Sequence, residues 1–141
     1  MFVPWALGLF GLIPFWASAL ALLTGHTFGM SHADISLALA AYGATIASFL
    51  GGMRWGLAIN ETSKLGSWSD YIISVVPQLL AWAALALSDR PRLVALALLI
   101  VVTGPLDLHL VRRGVAPVWF GPLRMTLSLL AGAGLLVAAA A

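Results

Sequence analysis

The chain has 141 residues, 62% hydrophobic and 9% charged, with a mean hydropathy of +1.03. Soluble domains carry about 25% charged residues, so this composition cannot cover a water-exposed surface, and most of the chain has lipid as its solvent. The lack of cysteine excludes disulfides, thiolate metal sites and thiol nucleophiles, and a net charge of +2, scattered over the ends of apolar segments, provides no basic face for nucleic acid.

Five apolar segments are predicted to be transmembrane helices, at about 4–23, 34–59, 69–88, 92–111 and 119–139. Each is near the ~20 residues that cross a ~30 Å hydrocarbon core as helix. The first contains Ala17-Ser18-Ala19, which resembles a signal cleavage site. No positive n-region precedes it and the apolar run continues to Leu23, so the segment is expected to remain as a helix. "TGHTFGMSHAD" leads into the second helix, where Ser31-x-x-Asp34 is a capping-box-like start. "NETSKLGSWS" separates the second helix from the third, and "SDRPR" reads as a tight hairpin that makes the third and fourth antiparallel neighbours. "RRGVAP" precedes the fifth. Pro14, Pro77 and Pro105 lie inside predicted helices, where each should kink the helix and free a carbonyl; Gln78 stands beside one of them. Alternating ten-residue segments suited to a β-barrel are absent. The expected fold is an all-α polytopic bundle of five transmembrane helices forming one domain, residues 1–141.

Arg54, Lys64, Arg112, Arg113 and Arg124 fall on the face that holds the N-terminus, whereas Arg90 and Arg92 fall on the other. The positive-inside rule then puts the N-terminus inside and the C-terminus outside, in a bacterial inner membrane or, for a eukaryotic protein, the mitochondrial inner membrane. Trp5, Trp55, Trp68 and Trp119 fall toward the same face, as interfacial anchors do.

On a helical wheel the second helix divides into a small-residue arc and a bulky one. Ala40, Ala44, Ser48, Gly52 and Gly56 form a small-xxx-small ridge ending in GxxxG. Such a ridge lets helix backbones approach closely, either inside the bundle or across a homodimer seam. At the border of the two arcs stands Arg54, about five residues from the helix end. Asp107 lies at a similar depth in the fourth helix with no basic residue three or four positions away on its own helix. Its counter-ion must come from Arg54 or from Arg124 in the first turns of the fifth helix. A cluster of Arg54, Asp107 and Arg124 at one membrane level is therefore expected. It is either a structural pin or a functional site. With all three charged it would keep one positive charge, suited to a lipid phosphate, a quinone carbonyl or another small anion. His26, His32 and Asp34 do not make a convincing metal set, and no catalytic motif is present.

Four stretches carry a resemblance: "LGLFGLIPF" at 7–15, "YGATIASFLGGMRWGLA" at 42–58, "SVVPQLLAWAAL" at 74–85 and "APVWFGPLRMTLS" at 116–128. Together they resemble the transmembrane protein 69 family, small multi-pass proteins catalogued as a domain of unknown function. The resemblance implies a helical fold and an inner-membrane location, and supplies no activity. Two functions remain open. One is a non-catalytic accessory, assembly or packing subunit of a larger membrane complex. The other is a small carrier or channel for protons or an anion, built as an oligomer around the Arg/Asp cluster. The expected partners are the bilayer and other subunits or further copies of the chain. No cofactor is implied beyond a bound lipid or quinone.

Overall fold

A computed structural model describes residues 2–60 and 66–141. Lys64, counted above for orientation, lies outside the described residues. The elements are α1 (Phe2–Phe10), α2 (Ile13–Thr24), α3 (His32–Ala58), α4 (Trp68–Ala84), α5 (Asp89–Arg112) and α6 (Phe120–Ala140), with no strand among the described residues. Together α1 and α2 make one apolar span, Phe2–Thr24; this span, α3, α5 and α6 are each long and apolar enough to cross a membrane. At 17 residues, α4 is about 25 Å long, short of a full hydrocarbon core. It stops at Ala84 rather than 88 because the chain tightens into i→i+3 bonds from Leu85, Ala86 and Leu87 to Trp82, Ala83 and Ala84. The tight connection accordingly lies at 85–88, and the predicted hairpin residues Asp89, Arg90 and Pro91 form the first turn of α5, where a proline lacks no needed donor. Arg92 holds the turn by donating twice to the Leu87 carbonyl, at 3.0 and 2.8 Å.

The first span is interrupted at Gly11-Leu12, and the physical cause lies further along the chain. The Pro14 ring would collide with the carbonyl four residues earlier, which is that of Phe10, the last residue of α1. Pro14 itself sits in the first turn of α2. At the break the Tyr42 hydroxyl of α3 donates to the Gly11 carbonyl at 2.9 Å, so a backbone acceptor in lipid is satisfied by a neighbouring helix. Tyr42 also meets Phe15 edge-on, 5.1 Å between ring centres. Around Pro77 and Pro105, by contrast, α4 and α5 continue as helix, and Gln78 is exposed.

The most extensive helix pairs are α5 with α6 and α3 with α4. Between them lies a core that includes Phe15, Leu39, Leu96, Ile100 and Leu135. The small-residue face of α3 is rotated from the expected ridge. Ala40 and Ala44 are buried, but Ser48, Gly52 and Gly56 are exposed, and nothing stands within 4 Å of a Cβ built on either glycine. The buried row is instead Gly43, Ala47, Gly51, Arg54 and Ala58. Both rows lie in one broad arc of small residues, and only the arrival of α4 selects between them. Gly51 marks the contact: an added Cβ would collide with the Ser74 carbonyl oxygen.

Gly51→Ala should therefore lower stability by about 1–3 kcal/mol, the usual cost of overpacking. Gly52→Ala should be neutral or gain up to about 1 kcal/mol from helix propensity. Denaturant unfolding of the two variants in mild detergent compares them directly.

Candidate functional site

Three helix ends meet at one membrane level. Arg54 is four residues before the end of α3, Asp107 five before the end of α5, and Arg124 four after the start of α6. At 1.5 Å per residue all three stand roughly 6–8 Å from those ends. All are buried, Asp107 to 1% exposure.

The Asp107 carboxylate bridges the two guanidiniums. Its Oδ1 accepts from Arg54 Nη1 at 2.8 Å, and its Oδ2 accepts from Arg124 Nε at 2.6 Å. Arg54 Nη1 also donates to the Leu106 carbonyl at 3.2 Å. Arg124 Nη2 donates to Thr103 Oγ1 at 3.3 Å, and the Thr103 hydroxyl donates to the Ile100 carbonyl at 2.7 Å. Thr103 was not among the residues singled out from sequence. Its position one turn before Asp107 is the signal that would have identified it. Arg54 Nε, buried, has no hydrogen-bond partner. A void of about 10 Å³ lies beside it, lined by residues including Ile73, Pro77 and Asp107. Because Pro77 has no N–H, the Ile73 carbonyl lacks its helical donor, and the void is about the size that one water needs.

A second ion pair joins the same end of the bundle. Asp70 closes a capping box with Ser67 at the start of α4, and its Oδ1 accepts from Arg113 Nη1 at 3.2 Å. The pattern Ser67-x-x-Asp70 repeats that of Ser31-x-x-Asp34, and the cap was readable from sequence on the same grounds. The Arg113 partnership depends on tertiary structure and was not. Tyr71 adds a bond from its hydroxyl to the Ala58 carbonyl at 3.3 Å.

The remaining expected features are spread out. Trp55 and Trp68 are exposed, while Trp5 and Trp119 are half-buried. Asp34 is engaged in the cap of α3, with Ser31 Oγ 2.6 Å from its carboxylate. No group of three or more His, Asp or Glu among the described residues is placed to hold a metal ion. Two guanidiniums face one carboxylate in the buried cluster, so it keeps one formal positive charge inside the apolar layer. The arrangement has the charge to bind an anion and shows no nucleophile–base pair.

Comparison with known families places these features in context. The model of the family described as "Protein of unknown function (DUF3429)" matches residues 2–140. The chain belongs to this family. Among curated proteins it is similar to Transmembrane protein 69 of Xenopus tropicalis, with 40% identity over 128 residues that cover 89% of this chain and 49% of that one. It is also similar to Transmembrane protein 69 of Mus musculus, with 35% identity over 124 residues, 86% of this chain and 49% of the relative. The chain thus spans about half the length of the curated relatives it matches. No solved structure matches it. The transmembrane relatives and the helical architecture together make this a membrane protein.

Removing one side of a buried ion pair typically costs about 3–5 kcal/mol. Asp107→Leu, which leaves two facing guanidiniums unpaired, should fall in that range. Arg54→Leu should cost less, because it leaves Arg124 and Asp107 as a hydrogen-bonded neutral pair. Unfolding midpoints of the two variants test this order.

Proposed function

We propose that this protein is a non-catalytic accessory subunit of an inner-membrane complex, docked against another membrane helix through the outward face of α3. The supporting observation is the exposed row Ser48, Gly52 and Gly56, with no neighbour within 4 Å of a Cβ on either glycine. In lipid, small residues gain little from facing acyl chains and much from close approach of a second helix. The inner-membrane assignment rests on the excess of arginine at the end of the bundle that holds the cluster, together with the positive-inside rule.

A second reading is favoured by the buried excess positive charge: a small carrier of protons or an anion, with Asp107 in its path. Proton or anion flux in reconstituted vesicles that is unchanged by Asp107→Asn would remove that residue from any such path.

Purification of the tagged full chain in mild detergent, followed by mass spectrometry, should recover a partner in fixed stoichiometry. Gly52→Leu should release that partner while leaving the unfolding midpoint of the chain unchanged. Recovery of the wild-type chain as a lone monomer would contradict the subunit reading.

A further inference from the structure

A cavity of about 350 Å³ opens between the broken first span, α3 and α6, within the size range of small-molecule sites. It runs along α6 from Phe120 to Ala131, about 16 Å at helical rise. Gly8 and Gly11, on either side of the end of α1, are in its lining, and Gly8 lets α1 approach Leu127 of α6 more closely than a side chain would allow. Trp119 and Pro4 lie at the end nearest the charged cluster, and Phe15, Ile46 and Ala131 at the deeper end. Leu7 and Phe49, also in the lining, are 66% and 68% exposed, so the cavity opens sideways toward lipid rather than toward water.

Against this apolar wall stand two polar residues, Arg124 and Ser128. Arg124 uses Nε on Asp107 and Nη2 on Thr103, which leaves Nη1 as a donor. Ser128 is 1% exposed, and its hydroxyl, without a hydrogen-bond partner, lies toward Gly104 of α5, which leaves Arg124 as the polar group available to a ligand. A buried, unmatched positive charge is costly in an apolar layer, and a ligand carrying one negative charge would balance it. A free anion would have to leave water for an oily groove; an amphiphile already in the bilayer would not.

We propose that this groove binds an anionic phospholipid. Its phosphate accepts from Arg124 at the level of the cluster, and one acyl chain lies along α6 against Leu127, Ala131, Phe15 and Ile46. The single excess charge favours a headgroup with net charge −1 over a zwitterionic one, in which the headgroup's own cation already neutralises the phosphate. The site is independent of the outward face of α3 and stands or falls separately from the subunit reading.

The test uses the purified full chain in mild detergent. Added phosphatidylglycerol should raise its Tm on the order of 5 °C in a concentration-dependent way. Phosphatidylcholine and inorganic phosphate should leave it unchanged. Ile46→Trp fills the groove from α3 without touching a charge and should abolish the rise. Native mass spectrometry of the unaltered chain, offered equal amounts of both lipids, should retain one phosphatidylglycerol per chain and so gives a second readout if the variant fails to fold. An equal rise with phosphatidylcholine, a rise with phosphate alone, an undiminished rise in Ile46→Trp, or retention of both lipids alike would each overturn the proposal.

Discussion

One carboxylate between two guanidiniums, inside an apolar layer, constrains how this bundle is assembled. Asp107 has no cation within reach on its own helix, so α5 must bring it to the depth at which α3 presents Arg54 and α6 presents Arg124. The energetics are asymmetric. Replacing a whole buried ion pair by apolar residues is often neutral or stabilising, whereas removing one member is expensive. The cluster therefore contributes registry more than net stability: it penalises every arrangement that slides one of the three helices by a turn. Asp70 and Arg113 fasten α4 to the end of α5 at the same end of the molecule.

A second constraint is the rule that backbone groups in lipid must be satisfied within the protein. Pro14 forces the first span to break, and the break exposes carbonyls that a continuous helix would have covered. Tyr42 supplies a donor to one of them. The groove beside α6 borders this broken span and passes the cluster, with Arg124 in its lining. An apolar cavity thus lies next to an unbalanced charge.

Much of this was legible in the sequence. Composition and segment length are enough to read the helical membrane fold, since 20-residue apolar stretches have few other uses. The depth of Arg54, Asp107 and Arg124 could be counted from the predicted helix ends, and a lone acid in lipid requires a partner. What the sequence could not show depends on neighbours. The wheel of α3 has small residues over a wide arc, and Gly51 rather than Gly52 meets α4 because of where the Ser74 carbonyl arrives. The kink at Pro14 appears three residues before it, at Gly11, because the clash falls on the preceding turn. The groove joins residues up to 127 positions apart in the chain, from Pro4 to Ala131, and no local pattern encodes such a cavity.

The central claim is that Asp107 is held by both arginines at once. Double-mutant cycles with unfolding free energy in detergent measure this directly: Asp107→Leu combined with Arg54→Leu, and Asp107→Leu combined with Arg124→Leu. Coupling in both cycles should exceed the ~0.5 kcal/mol expected of independent sites and fall at roughly 1–3 kcal/mol. The Arg124 cycle should be the larger, since its contact is the shorter at 2.6 Å against 2.8 Å. Simple additivity in either cycle would contradict a carboxylate shared between the two helices.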